Sequence, residues 1–207
     1  MSDCVIINYG MGNLFSVKTA IESLGKKVKI THDSKEIVKG NIIVLPGVGS
    51  FKVAINRIKK LGLDDVIKEC IINKNKKILG ICLGMQLLAK VGTEDGINEG
   101  LNVFDVEVIK FKNNYNQNFK IPHVGFNQVN NEKNSILFKG ISNNSDFYFN
   151  HSYYIPLKTY KISNFSTTNY INNFISSIEY DNVFATQFHP EKSQSNGQIL
   201  LKNFMES

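Results

Sequence analysis

The segment Gly80-Ile-Cys82-Leu83-Gly84-Met-Gln86 places a cysteine between two glycines. The apolar run Lys77-Ile-Leu-Gly-Ile-Cys precedes it and Met85-Gln-Leu-Leu-Ala follows it. That order predicts a buried strand running into a helix. A G-x-nucleophile-x-G corner presents its central side chain on a tight turn, and glycines flank it because side chains there would clash. The start of a helix favours an anion such as a thiolate. The backbone N–H of Leu83 then points toward a substrate as one half of an oxyanion hole. Cys4 and Cys70 fall inside a predicted strand and a predicted helix and read as small core residues. Cys82 reads as a nucleophile.

A cysteine nucleophile needs a base and a group that orients the base. Of the four histidines, His189 stands in Gln187-Phe-His-Pro190-Glu191-Lys192, just after a predicted strand over residues 183–188. Pro190 fixes the turn. Glu191, two residues on, can reach back and hold the imidazole in one tautomer. Nucleophile first and base late in the chain is the order of α/β hydrolytic folds. A third element is the loop Pro46-Gly47-Val48-Gly49, which follows the third predicted strand. Sites of open α/β sheets form at that carboxyl end. Its two glycines let the backbone approach a ligand and offer an N–H to an oxyanion. The run Asn8-Tyr-Gly10-Met-Gly12-Asn lacks the third glycine of a dinucleotide fingerprint, and no acidic residue ends the second strand.

Two kinds of pattern must position these groups. Up to about residue 90, apolar runs at 4–7, 41–45 and 77–82 and a short strand at 28–31 alternate with helical spacing at 14–24 and 63–73. Pro46-Gly47 is expected to end the third strand, and a helix is expected to open at Met85. Such alternation predicts parallel βαβ units with both sheet faces covered. From about Asn102, alternating segments at 103–111, 126–129, 147–154, 174–180 and 183–188 are separated by asparagine-rich turns at 113–118 and 141–146. This is the grammar of antiparallel strands. Residues 197–205 have helical spacing. The expected fold is α/β: a central, mostly parallel sheet flanked by helices, with an antiparallel extension in the C-terminal half. One domain is expected over residues 1–207.

Composition narrows the partners. The chain has 207 residues and a net charge of +6, yet Arg57 is its only arginine. Nucleic-acid recognition favours arginine forks, so the scattered lysines read as a solvated surface and no nucleic-acid partner is expected. No run of apolar residues is long enough to span a bilayer, and the N-terminus has no signal-peptide pattern, so a cytoplasmic protein without membrane attachment is expected. Three cysteines, none in metal-ligand spacing, give neither a disulfide framework nor a metal site.

Gly80-Ile-Cys-Leu-Gly-Met-Gln-Leu-Leu together with Phe188-His-Pro-Glu-Lys-Ser resembles the class I, or triad, glutamine amidotransferases. Asn8-Tyr-Gly-Met-Gly-Asn-Leu, Pro46-Gly-Val-Gly and Pro122-His-Val-Gly-Phe-Asn resemble, within that class, the glutaminase subunits of imidazole glycerol phosphate synthase. The resemblance implies a flavodoxin-like fold and hydrolysis of L-glutamine without a cofactor. It implies Cys82, His189 and Glu191 as the triad, with Leu83, Gly47, Val48 and Gly49 around the oxyanion. By similarity, Gln86, Glu94, His151, Ser152 and Tyr153 hold glutamine. Asn13, Phe126, Tyr148 and Lys192 match positions facing a (β/α)8 cyclase subunit in a heterodimer. Two departures stand out: Phe126 replaces the usual tryptophan, and Phe15 replaces a common arginine. The alternative they leave open is a paralogous glutaminase feeding a cyclase-like partner in surface-sugar amidation.

Overall fold

The computed structural model describes residues 3–73, 75–113, 119–131, 135–158, 162 and 164–207. Four strands, β1 (Cys4–Ile7), β2 (Val28–Thr31), β3 (Ile42–Gly47) and β4 (Lys77–Cys82), lie in the order β2-β1-β3-β4 and are all parallel. β1, β3 and β4 are largely apolar because both their faces are buried, whereas the edge strand β2 alternates Val28 and Ile30 with Lys29 and Thr31 and is only partly covered. In β1, Val5 and Ile7 face one core, shared with Ile37, Phe51, Ile55, Leu63 and Ile67 from helices α2 (Ser34–Lys39), α3 (Phe51–Lys60) and α4 (Leu63–Ile72). Cys4 and Ile6 face the other, shared with Val17 and Ile21 of α1 (Leu14–Glu22) and Leu200, Leu201 and Phe204 of α6 (Gln194–Glu206). Each fully buried aliphatic or aromatic side chain contributes about 1.5–3 kcal/mol.

After β4 the chain makes a short helix, α5 (Leu83–Leu87), and enters β5 (Ala89–Gly92), β6 (Asn98–Glu99) and β7 (Phe104–Lys110). A hairpin of β8 (His123–Val129) and β9 (Ser145–His151) stands apart as its own two-stranded sheet. Strands β10 (Tyr153–Pro156), β11 (Phe165–Asn169), β12 (Asn173–Tyr180) and β13 (Val183–Thr186) complete the main sheet. There β13 pairs parallel with β4 and antiparallel with β12, so it joins the parallel half to the antiparallel extension.

The structure differs from the sequence reading in several places. β3 runs through Pro46 and Gly47, which pair with Ile81 and Cys82 of β4. The pairing of β3 with β1 has ended by then, at Val44, so the missing proline N–H costs no bond on that side. The helix expected from Met85 spans only Leu83–Leu87 before β5 begins. The single strand expected over 147–154 is two, broken at Ser152, because β9 belongs to the hairpin and β10 to the main sheet. Helices α2 and α3 and strands β5, β6 and β11 were not anticipated. In the expected turn at 113–118, residues 114–118 lie outside the described residues.

Candidate active site

Cys82 closes β4 and sits at the corner with α5. Its backbone is at φ 54° and ψ −107°, a conformation that L-residues rarely adopt and that costs about 1–3 kcal/mol. The flanking glycines permit the corner. A Cβ on Gly84 would lie 1.7 Å from the carbonyl oxygen of Leu45, and one on Gly80 would lie 3.0 Å from the Gly84 carbonyl. The α5 backbone therefore packs directly on β3, and Leu83 is buried beside Gly47.

His189 follows β13, the neighbour of β4, and this adjacency brings it to Cys82. The turn at Pro190 is a 3-10 turn over residues 190–192. It folds the Glu191 carboxylate back onto the ring: His189 Nδ1 donates to Oε1 at 2.8 Å, with side chains only 3% and 1% exposed. The other ring nitrogen, Nε2, is buried without a nitrogen or oxygen partner among the described residues. Burial alone pushes the His189 imidazole down. The charge of a Cys82 thiolate, contact with that sulfur, and Glu191 together outweigh burial and raise the value to about 10. Opposite a Cys82 thiolate, His189 is therefore favoured as the imidazolium, the form that can donate a proton.

A cavity of about 360 Å³ opens over the sulfur, at the small end of the range for ligand pockets. Cys82, Leu83, Gln86, Glu94, His151, Ser152 and Tyr153 all line it, as do Val48 and Gly49 on its exposed rim. Gly49 has φ +103°, which leaves that peptide free to adopt orientations other residues resist. Gly47 lies within the β3–β4 pairing rather than on the rim. Glu94 accepts from the Phe51 N–H at 2.6 Å and anchors the start of α3. The Gln86 amide nitrogen is already committed, donating to the Tyr153 carbonyl at 2.9 Å and to Gln187 Oε1 at 3.0 Å. Gln86 and Glu94 thus offer the cavity acceptors, which suit an α-ammonium group rather than an α-carboxylate.

Behind the cavity, His151 Nδ1 donates to the Tyr153 carbonyl at 2.8 Å, so its Nε2 must accept from His123 Nδ1 at 3.0 Å. His123 Nε2 in turn accepts from Asn127 at 3.2 Å. Burial lowers His123 to about 4. Burial, with the neighbouring His123 adding to it, lowers His151 to about 3, so both are neutral at pH 7.

Of the residues expected to face a partner, three form one cluster beside the base. The Phe126 and Tyr148 rings meet edge to face with centroids 5.6 Å apart, Lys192 Nζ lies 5.5 Å from the Tyr148 centroid, and the Tyr148 and His189 rings are 6.4 Å apart. Asn13 stands at the start of α1, where its side chain accepts from the Ser16 N–H. Sequence reasoning missed Gln187, whose side chain is fully buried against the sulfur: Nε2 donates to Cys82 Sγ at 3.7 Å. The available signal was a polar residue inside an otherwise apolar strand end.

A cysteine at a strand–helix corner, with a carboxylate-held histidine from the next parallel strand, is the arrangement of a triad amidotransferase. The chain belongs to the class-I glutamine amidotransferase family, whose model matches residues 5–207. It is 45% identical to imidazole glycerol phosphate synthase subunit HisH 1 of Campylobacter jejuni (strain 81-176), covering 96% of this chain and 97% of that one. It is 44% identical to subunit HisH of Pyrococcus furiosus, covering 99% and 98%. Among solved structures, PurLQS from Thermotoga maritima shares the fold, with a TM-score of 0.72 and 16% identity over 100% of this chain and 99% of that one.

Proposed function

We propose that the chain hydrolyses L-glutamine to L-glutamate and ammonia, and passes the ammonia to a (β/α)8 cyclase subunit that makes imidazole glycerol phosphate and aminoimidazole carboxamide ribotide in L-histidine biosynthesis. The observation that carries the chemistry is the buried His189–Glu191 pair beside Cys82, which itself lines an amino-acid-sized cavity. The relatives' names carry the pathway and the cyclase partner.

The Cys82 sulfur, its proton held by His189, attacks the side-chain amide carbon of glutamine. The carbonyl oxygen becomes an oxyanion, held by the Leu83 N–H and by an N–H of the rim at Val48 and Gly49. His189 gives its proton to the amide nitrogen, the C–N bond breaks, and ammonia leaves a glutamyl thioester. Water then attacks the thioester carbon as His189 takes its proton, releasing glutamate and regenerating the sulfur. Glu191 keeps the ring in one orientation throughout. Glu94 and Gln86 Oε1 receive the α-ammonium group, with His151, Ser152 and Tyr153 along the same wall.

The partner docks on the Phe126–Tyr148–Lys192 cluster and around Asn13, and its ammonia path begins beside His189. Phe126 retains the apolar ring of the usual tryptophan and loses one N–H donor. No helix among the described residues is long and apolar enough to cross a membrane. We read the chain as one cytoplasmic domain paired with its cyclase as a heterodimer.

The rim loop motivates a gated enzyme, because a flip at Gly49 can complete the oxyanion hole when the partner is loaded. Glutamate release is measured for the chain alone, with its barrel partner, and with partner plus acceptor ligand. A rise of about a hundredfold, ~2.7 kcal/mol of barrier, is expected, the size of one oxyanion donor. Equal rates in all three would show that the hole is preformed. Activation by a sugar-modifying barrel and not by the histidine-pathway cyclase would reassign the acceptor.

A further inference from the structure

Gln187 belongs to none of the groups assigned above, yet it is the polar side chain nearest the sulfur besides the triad for which the structure gives a donor. It lies just past β13 with no exposure. A carboxamide buried this completely costs about 1–3 kcal/mol unless its atoms are bonded, so its partners need an account. Oε1 accepts from Gln86 Nε2 at 3.0 Å, and Nε2 donates to Cys82 Sγ at 3.7 Å.

The direction of these bonds is fixed from the far end. The Tyr153 carbonyl can only accept, so Gln86 must turn its NH2 toward it. The second hydrogen of that NH2 then points at Gln187, which must present Oε1. Turning the Gln187 amide over would set one NH2 against another and an acceptor against the sulfur. The Tyr153 carbonyl also accepts from His151, which holds it from a second side. The donor aimed at Cys82 is therefore imposed by a backbone atom two side chains away.

The neutral thiol has a different partner: Sγ donates to the Asn150 carbonyl at 3.8 Å. When the proton moves from Sγ to His189, that carbonyl faces a negative sulfur and the bond is lost. The Gln187 N–H bond strengthens instead, because a charged acceptor roughly doubles a hydrogen bond. We propose that Gln187 is a further residue of the catalytic site, which holds the Cys82 thiolate through an N–H bond, with Gln86 as the positioning residue that aims it. The same bond favours the sulfur as leaving group when water opens the thioester. The proposal rests on Cys82 being the nucleophile.

The test is alkylation of the full-length chain by iodoacetamide, read at each cysteine by peptide mass spectrometry across pH 5–10. Gln187→Met keeps the volume and removes both polar atoms. Gln187→Glu keeps the shape and replaces the donor by an acceptor. Gln86→Met removes the group that aims the amide. Loss of a charge-assisted bond should raise the midpoint for Cys82 alkylation by about one pH unit or more in Gln187→Met. The shift should be larger in Gln187→Glu and smaller in Gln86→Met. In Gln187→Met, whose side chain does not line the cavity, glutamate release at pH 7 should fall about tenfold or more with KM changed less than kcat. A midpoint unchanged in Gln187→Met and Gln86→Met would overturn the proposal while leaving the nucleophile in place. Should Gln187→Glu fail to fold, the two methionine variants decide the matter. Wild-type Cys82 resisting alkylation at every pH while glutamine is turned over would overturn the nucleophile and this proposal with it.

Discussion

Gly84→Ala tests the corner on which the whole site depends. Helix preference alone says that alanine should stabilise α5, by about 0.5–1 kcal/mol. The structure says the opposite. The new Cβ would lie 1.7 Å from the Leu45 oxygen and 2.8 Å from its carbonyl carbon, both backbone atoms of a central strand. Real Cβ contacts stay beyond 3.0 Å, so α5 and β3 must part by more than 1 Å. Overpacking of a rigid core costs about 1–3 kcal/mol, and a backbone-on-backbone clash belongs at the top of that range. Set against helix preference, the net loss is about 2 kcal/mol, or about 4–8 °C in Tm for a chain of this size. Displacing Cys82 and the Leu83 N–H by such a distance should also cut glutamate release by about a hundredfold. Urea unfolding and partner-activated turnover are the assays. Gly25→Ala is the control, since Gly25 has φ +79° with nothing near its Cβ position, so only left-handed strain of about 1–2 kcal/mol enters there. A Gly84→Ala chain as stable and active as the wild type would refute the close packing of corner on strand.

The other outcomes concern the histidines. His189→Ala should stop turnover, whereas Glu191→Gln should slow it less, because an orienting group contributes less than the base it orients; glutamate release with the partner present measures both, and the reverse order would reassign the two roles. His123 and His151 have folded values below the ordinary 6.5, so their contribution to stability is complete above that pH and is lost as the pH falls below it. By pH 5 the enclosed His151 should have cost about 2 kcal/mol, and His123, whose Nε2 reaches only a part-buried Asn127, somewhat less. Urea unfolding at pH 7 and pH 5 gives the loss, and NMR of the rings gives its source; titration of either ring near pH 6.5 would contradict the buried neutral pair.

The parallel half of the fold was legible because strands buried on both faces carry apolar runs: β1 and β4 fall at the residues those runs mark, and the half-exposed β2 at the short Val28–Thr31 segment. The short or half-exposed elements were not. β6 has two residues, and α2 has six with only Ile37 buried, too few for a period to show. Gly84 was legible at the corner because only glycine tolerates the Leu45 backbone at that distance. The His189–Glu191 contact was legible from spacing alone. The Gln187–Gln86 chain was not, since its members are far apart in sequence and meet only through the pairing of β4 with β13. The break at Ser152 was hidden for a related reason. Alternation continues through it, while the chain passes from one sheet to another.

Acid quenching of the chain and its barrel partner during turnover of isotope-labelled glutamine, followed by peptide mapping, most directly tests Cys82 as the atom that takes the glutamyl group. The label should appear on the peptide carrying Cys82, as a base-labile thioester. Cys82→Ala should form neither label nor glutamate while unfolding at a similar urea concentration. Label on Cys4 or Cys70, or glutamate released by Cys82→Ala within about tenfold of the wild-type rate, would contradict it.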